Sequence, residues 1–413
     1  METEQKNQKQ IFKGITILDF CQVIAGSYAT TLLADLGAEI IKVEPPEIGD
    51  TLRNTGPKIN GVSAFFIQVN RNKKSICIDL KSPKGLEIIK QLIPHVDVIS
   101  ENFKPGVMEK FGLGYEDVKK IKENIIYLSI SGYGHNNKNS QKPAYDIMIQ
   151  AESGLASLNG FPEHNSPLRS PLSVVDYTTA TNASFAVSSA LYHLKNTGEG
   201  QFIDVAMYDS IISVMDNSFL IYESVKNKPD LDLIKEGIKS TGNHHPGTSP
   251  HGCYKTSDGH IAHTSLTNEM WNKILKIIER EDLFDNENFN SPDKRKQNWQ
   301  EVDKIMEEWT SKNSTEEVIK AFNAEKLPCG KVRDIDEVFN DSHNDEREVF
   351  KKINHPIAGK MKITNTPLKF SETPRQILSN APLLGEHTRE IISKFLNFSD
   401  LEIRSLFESK ILH

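Results

Sequence analysis

Most of the arrangements that mark a membrane protein, a metal centre or a nucleotide loop are missing from this 413-residue sequence. No apolar run approaches the ~20 residues needed to cross a bilayer as a helix. The opening Met1–Gln10 is polar and of mixed charge with no apolar stretch behind it, so neither a secretory signal nor an Arg-rich transit peptide is expected. The four cysteines, Cys21, Cys77, Cys253 and Cys329, are scattered and form no CxxC pair, which points to a reducing, cytoplasmic compartment with unpaired thiols. An excess of positive charge is missing too. A net charge of −7 argues against a general binder of nucleic acid or anionic membranes. Repeats and low-complexity blocks are absent. His244, His245, His251, His260 and His263 gather around Cys253, but their spacing matches neither HExxH nor a paired zinc pattern, so no metal is expected.

What remains is the balance of a folded soluble protein, 37% hydrophobic and 25% charged, at a length that favours two domains. Ile15–Phe20 is strand-like, Ser27–Leu36 has helical spacing, Gly37 can cap it, and Glu39–Val43 reads as the next strand. A strand–helix–strand unit of this size implies parallel strands with a right-handed crossover. Further strands are expected at Ser75–Leu80, Asp97–Ser100, Ile125–Ser131 and Leu172–Val175, with helices at Gly85–Leu92 and Tyr177–Leu194. The first 200 or so residues read as one doubly wound, Rossmann-like α/β domain. After the turn-rich Lys195–Gln201 and a strand at Phe202–Ala206, one long helix is expected over Met207–Ser224, leading into the polar Lys226–Lys239. The region from Gly242 to about Gly330 has short strands and charged helices carrying Trp271, Trp299 and Trp309, and reads as a smaller α+β domain. Lys326–Gly330 reads as a hinge with Cys329 buried. In the tail, Lys360–Thr364 is strand-like, Leu384–Gly385 is a turn, and a last amphipathic helix follows from His387.

A doubly wound domain invites a dinucleotide, but the turn Cys21–Gln22–Val23–Ile24–Ala25–Gly26 has one glycine where a GxGxxG loop needs three. No GxxxxGK[ST] loop occurs either. The stretch Arg71–Lys90 holds six basic residues against Asp79 and Glu87, a local charge that suits an anionic small molecule or a solvated helix face.

Several stretches carry more information together than any alone: Leu33–Glu44 (LADLGAEIIKVE), Asn70–Ser75 (NRNKKS), Glu101–Gly106 (ENFKPG), Gly132–Tyr133–Gly134, Tyr145–Asp146, Val175–Asp176, Thr197–Gln201 (TGEGQ) and Ala381–Thr388 (APLLGEHT). In this order and spacing the sequence resembles the class III CoA-transferases, the family of formyl-CoA, carnitine and succinyl-CoA-dependent dicarboxylate CoA-transferases, from Phe12 to Phe407. The resemblance implies an interlocked-ring homodimer. It divides the chain into a large CoA-binding domain begun by residues 10–206, a helical linker at 207–241, a small domain at 242–330, a return linker at 331–359, and a C-terminal part, 360–413, completing the large domain.

The resemblance also assigns roles. An aspartate between a strand-like and a helical run, as Asp176 is, reads on its own as an N-cap, worth ~1 kcal/mol; the family's nucleophilic aspartate falls on this position. Such a carboxylate attacks an acyl-CoA, forms a mixed anhydride and then an aspartyl-CoA thioester, and passes CoA to an acceptor acid. CoA enters as substrate, and no cofactor is implied. CoA contacts are implied at Ile78, Lys81, Asn102, Phe103, Lys104, Lys110, Tyr145 and Asp146, with Lys81 and Lys110 as phosphate partners. Pro45 and Lys110 stand where formyl-CoA transferases carry arginines, and Ile24 replaces their glutamine, so a different grip on phosphate and a substrate other than formate or oxalate are expected. The expected donor is succinyl-CoA or a similar dicarboxylyl-CoA. An α-methylacyl-CoA racemase shares fold and aspartate, but a racemase needs a second base, and Tyr145 stands where those enzymes place a histidine. A non-catalytic CoA-binding paralogue would most simply have lost the aspartate.

Overall fold

The computed structural model describes residues 9–164, 166–227, 239–374, 377 and 379–413. Residues 1–8 and residues 228–238 of the polar stretch lie outside this set. The chain divides into two compact units. One comprises Met1–Ser153, Pro171–Val214 and His343–His413, the other Gly154–Ser170 and Met215–Ser342.

The first unit is built on six parallel strands: β1 (Thr16–Asp19), β2 (Glu39–Glu44), β3 (Lys73–Cys77), β4 (Val98–Glu101), β5 (Ile126–Ser131) and β6 (Phe202–Ala206). Their spatial order is β3-β2-β1-β4-β5-β6. The chain winds outward in one direction from β1 and then in the other from β4, so β1 and β4 flank the topological switch point of a doubly wound sheet. Alternation along each strand feeds two cores, as a sheet covered on both faces requires. Leu18, Ile41, Ile76 and Ile99 enter the core that holds helix α2 (Pro83–Leu92) and the C-terminal helices. Ile17, Ile40, Val98, Leu128 and Ile130 enter the opposite core, against α1 (Ala25–Ala34) and a 24-residue helix (Val174–Thr197). The C-terminus is stitched to the sheet by the His413 N–H, which donates to the Cys77 carbonyl (3.0 Å), and by a bridge between Ile78 and Leu412.

The second unit has its own core around Tyr254, Ile261, Trp271, Val302, Met306 and Phe322. A three-stranded antiparallel sheet, His251–Lys255, His260–Thr264 and Cys329–Lys331, lies against helices Asn268–Ile277, Trp299–Thr310 and Thr315–Ala324. Cys329 therefore begins a strand and is half-buried, not a buried hinge residue. The long helix expected after Ala206 is two, Met207–Ile212 and Asp216–Val225. Neither Gly nor Pro marks the break, so pattern alone could not locate it. No helix among the described residues is long and apolar enough to cross a membrane.

Beneath the switch point lie two fully buried lysines. Lys73 Nζ pairs with Asp19 (3.1 Å), and Lys42 Nζ pairs with Asp50 (2.9 Å) and donates to the Cys21 carbonyl (2.6 Å). Burial pushes the Lys73 ammonium down to about 8 despite Asp19, while Asp50, Asp19 and Glu44 together outweigh burial and hold Lys42 at about 12. Removing one member of such a pair strands the other, at ~3–5 kcal/mol, whereas replacing both with apolar groups is often nearly neutral. Lys73→Met should therefore lower the thermal midpoint sharply, and adding Asp19→Asn, which removes the stranded charge but keeps an oxygen for the Cys21 N–H and the Ser100 hydroxyl, should recover part of the loss. Equal midpoints for the single and double variants would contradict this account.

Candidate active site

The carboxyl ends of β1, β4 and β5 surround a cavity of about 310 Å³ lined by Gln22, Val23, Asn102, Phe103, Tyr145 and Asp176, with Thr51, Ser131, Lys104, Lys142 and Met207 also in its wall. This is the crevice in which open α/β sheets gather ligands. Its entrance turn, between β1 and α1, is held from two sides. The Gln22 N–H donates to Asn102 Oδ1 (2.8 Å), and Asn102 Nδ2 returns a bond to the Gln22 carbonyl (2.7 Å). Val23 sits at φ 61°, a left-handed conformation that a β-branched residue adopts only under constraint, and its N–H donates to Asp50 Oδ1 (3.0 Å). On the far side Gly132 lies so close to Ala144 that a Cβ would come within 2.2 Å of the alanine Cβ. That close approach accounts for a glycine at the first position of the Gly132–Tyr133–Gly134 motif.

Asp176 is the third residue of helix α4, the Val174–Thr197 helix (α3 being Asp146–Glu152), and is 8% exposed. The expected strand over Leu172–Val175 does not form. The paired valines favour a strand locally, but the Asp146 carboxylate accepts the N–H groups of Val175 (2.9 Å) and Asp176 (3.2 Å) and so caps the helix from a distant segment. Gln150 Nε2 steadies the other oxygen of Asp146. Capping, the ordinary role for an aspartate at such a junction, is thus performed by Asp146, and Asp176 presents its carboxyl to the cavity. Burial, with the Asp146 charge adding to it, pushes the Asp176 carboxyl up to about 7.

Of the residues singled out from the sequence, the cavity brings together Asp176, Asn102, Phe103, Lys104 and Tyr145. Asp146 stands behind the wall as the helix cap. Ile78 is fully buried in the core, and its side chain does not line this cavity. Lys81 and Lys110 are exposed, make no ion pair among the described residues, and do not line this cavity. Sequence reasoning passed over Gln22, Val23, Thr51, Ser131, Lys142 and Met207. Gln22 and Val23 lie in the very turn tested for a dinucleotide; nothing local marks Thr51 or Met207.

The raised pKa of Asp176 has a consequence for stability. A carboxyl that titrates near 7 in the fold and near 3.8 when unfolded binds its proton more tightly in the folded state. Its ionisation therefore subtracts stability, by nothing below pH 4, increasingly through the window from 4 to 7, and fully above 7. Asp176→Asn, which cannot ionise, should match wild type in stability at pH 4 and exceed it at pH 8, by an unfolding free energy on the order of a few kcal/mol that also raises the thermal midpoint. Equal midpoints at pH 8 would show that the carboxyl is not under this strain.

The sequence matches CoA-transferase family III over residues 12–388. It is 33% identical over 413 residues to the human succinyl-CoA:glutarate CoA-transferase, covering 100% of this chain and 92% of that protein. It is 31% identical over 403 residues to the succinyl-CoA–L-malate CoA-transferase beta subunit of Chloroflexus aurantiacus, covering 97% of each. The crystal structure of a CaiB/BaiF family protein from Brucella suis shares the fold with a TM-score of 0.81 and 30% identity, covering 94% of this chain and 100% of that one. A central parallel sheet with this agreement over nearly the whole sequence leaves one assignment: the chain belongs to the class III CoA-transferases.

Proposed function

We propose that this enzyme moves CoA from succinyl-CoA, or a similar dicarboxylyl-CoA, to a carboxylic acid acceptor through covalent intermediates on Asp176. The observation that carries the reading is the Asp176 carboxyl, buried at the wall of the switch-point cavity in the first turn of a long helix. The relatives that act on succinyl-CoA with glutarate or L-malate support the choice of donor.

The chemistry follows from a carboxylate facing a thioester. An oxygen of Asp176 attacks the acyl carbon, the C–S bond breaks, and CoA leaves as thiolate. The thiolate attacks the aspartyl carbonyl of the resulting anhydride, forming an aspartyl-CoA thioester and releasing the donor acid. The acceptor carboxylate then attacks that thioester, CoA leaves again, and its return to the acceptor acyl carbon delivers the new CoA ester and frees Asp176. No net proton is gained or lost. The nucleophile must be ionised, so activity should fall as pH drops below about 7. Water must be kept from the anhydride, since its hydrolysis would waste the CoA ester. Asn102, Phe103, Lys104 and Tyr145 are positioned to receive the pantetheine end, and Lys81 and Lys110 remain the proposed partners for phosphates that extend beyond the cavity. The four free cysteines fit work in the cytoplasm.

Incubation with succinyl-CoA followed by hydroxylamine should trap Asp176 as its hydroxamate, detectable by peptide mass spectrometry. Asp176→Ala should fold, give no adduct, and lose transfer by roughly several orders of magnitude. Substantial turnover by Asp176→Asn would sink the assignment.

We also propose that the working form is an interlocked homodimer. The outer face of α4 leaves Phe185 73% and Tyr192 71% exposed, seven residues apart on one side of the helix, an apolar stripe that suits cover by a second copy. Threaded chains cannot part without unfolding. Sedimentation at nanomolar concentration should therefore still show a dimer, and a folded monomer under those conditions would refute the proposal.

A further inference from the structure

Six aspartates and glutamates are buried among the described residues: Asp19, Asp35, Glu44, Asp50, Glu101 and Asp176. Four of them carry a cation, Asp19 with Lys73, Asp35 with Arg71, Glu44 with Arg53 and Asp50 with Lys42. Asp176 has none and faces the cavity. The other exception is Glu101, the last residue of β4, which is 5% exposed and has no Lys or Arg partner among the described residues.

A buried carboxyl without a cation opposes folding, so Glu101 is not explained by stability. Burial pushes it up to about 7, with Glu109 and Asp204 adding like charge. What it does hold is backbone. Glu101 Oε2 accepts the Phe103 N–H (2.8 Å) and closes the turn that follows β4. The corner of that turn is Asn102, whose amide clamps Gln22 at both its N–H and its carbonyl. The other bonds to Glu101 lead away from the cavity, through the Ser129 hydroxyl to His135 Nε2 at 2.8 Å. One carboxyl therefore sets a turn that supplies three lining residues, Asn102, Phe103 and Lys104, and through Asn102 it registers the facing turn as well.

We propose that Glu101 is a positioning residue for the CoA seat, holding Asn102–Lys104 through the Phe103 N–H in the conformation that receives the coenzyme. This rests on the reading that CoA binds in the switch-point cavity.

Isothermal titration with free CoA tests it on wild type, Glu101→Gln and Glu101→Leu. The glutamine oxygen can accept the same N–H and its amide N–H can donate to the Ser129 oxygen, so Glu101→Gln should bind CoA within about twofold of wild type. Glu101→Leu fills the space without an acceptor and should weaken binding roughly tenfold. Loss of a buried carboxyl that has no cation offsets loss of the Phe103 and Ser129 bonds, so the thermal midpoint should stay close to that of wild type, which separates positioning from support of the fold. In turnover its KM for the CoA ester should rise while kcat at saturation stays within about threefold. Wild-type affinity in Glu101→Leu, or equal weakness in Glu101→Gln and Glu101→Leu, overturns the proposal and leaves the Asp176 reading standing. A wild-type protein that binds no CoA overturns both.

Discussion

The buried pairs Asp19–Lys73 and Lys42–Asp50 are the constraint on which the cavity depends. Asp19 is the last residue of β1, and its two oxygens take Lys73, the Thr30 hydroxyl, the Ser100 hydroxyl and the Cys21 N–H. Lys42 reaches from β2 to the Cys21 carbonyl and to Asp50. Asp50 then holds the N–H groups of Val23 and Leu52. Four strands and two loops converge on these charges, and each polar group finds a partner. Buried charge in this amount confers little net stability. Its effect is to restrict the turn after β1 to one geometry, including the left-handed Val23, whose conformation costs about 1–3 kcal/mol and persists only because its surroundings over-determine it.

That rigidity explains the division of labour between Asp146 and Asp176. Both stand at the start of α4, but only one is satisfied by backbone. Asp146 spends its oxygens on the helix N-terminus and on Gln150 and in doing so places a negative charge beside Asp176. The helix N-terminus favours an anion there by ~0.3–1 kcal/mol, too little to offset burial and the neighbouring charge. The result is a carboxylate held in place yet poorly stabilised, a state that favours attack on an electrophile over the formation of a quiet ion pair.

Much of this was legible in the sequence. The apolar runs at Ile15–Phe20, Glu39–Val43 and Ile125–Ser131 located strands to within a residue or two, because parallel strands buried on both faces read as continuous hydrophobic segments. The motif resemblance singled out Asp176, Asn102, Phe103, Lys104 and Tyr145, which the fold gathers from three separate stretches. What failed did so for tertiary reasons. Val174–Val175 looked like a strand because its cap lies 29 residues upstream. The side chain of Ile78 is absent from the cavity because it packs in the core beside the C-terminal Leu412, a pairing that no local pattern encodes. Lys73 falls within the basic stretch Arg71–Lys90, which reads as a seat for an anion or as a solvated helix face, yet it is buried, since a buried lysine is identified by its partner and Asp19 lies on another strand.

The same logic bears on how the site separates binding from chemistry. Carboxylates paired with lysine or arginine are fixed in charge and define shape; the two left without cations, Glu101 and Asp176, are those whose protonation and hydrogen bonding can respond near neutral pH. They act on different parts of the cavity, Glu101 through a backbone turn and Asp176 through its own oxygens. Their surroundings differ accordingly. Glu101 is tied to Phe103 and Ser129, so its charge is spent internally, whereas only the Asp176 backbone is held by Asp146. In the proposed mechanism every covalent state would relieve the buried charge of Asp176 and every return to the free carboxylate would restore it, so the burial that favours attack makes the aspartate the poorer leaving group, and the reactivity of the anhydride has to drive its departure.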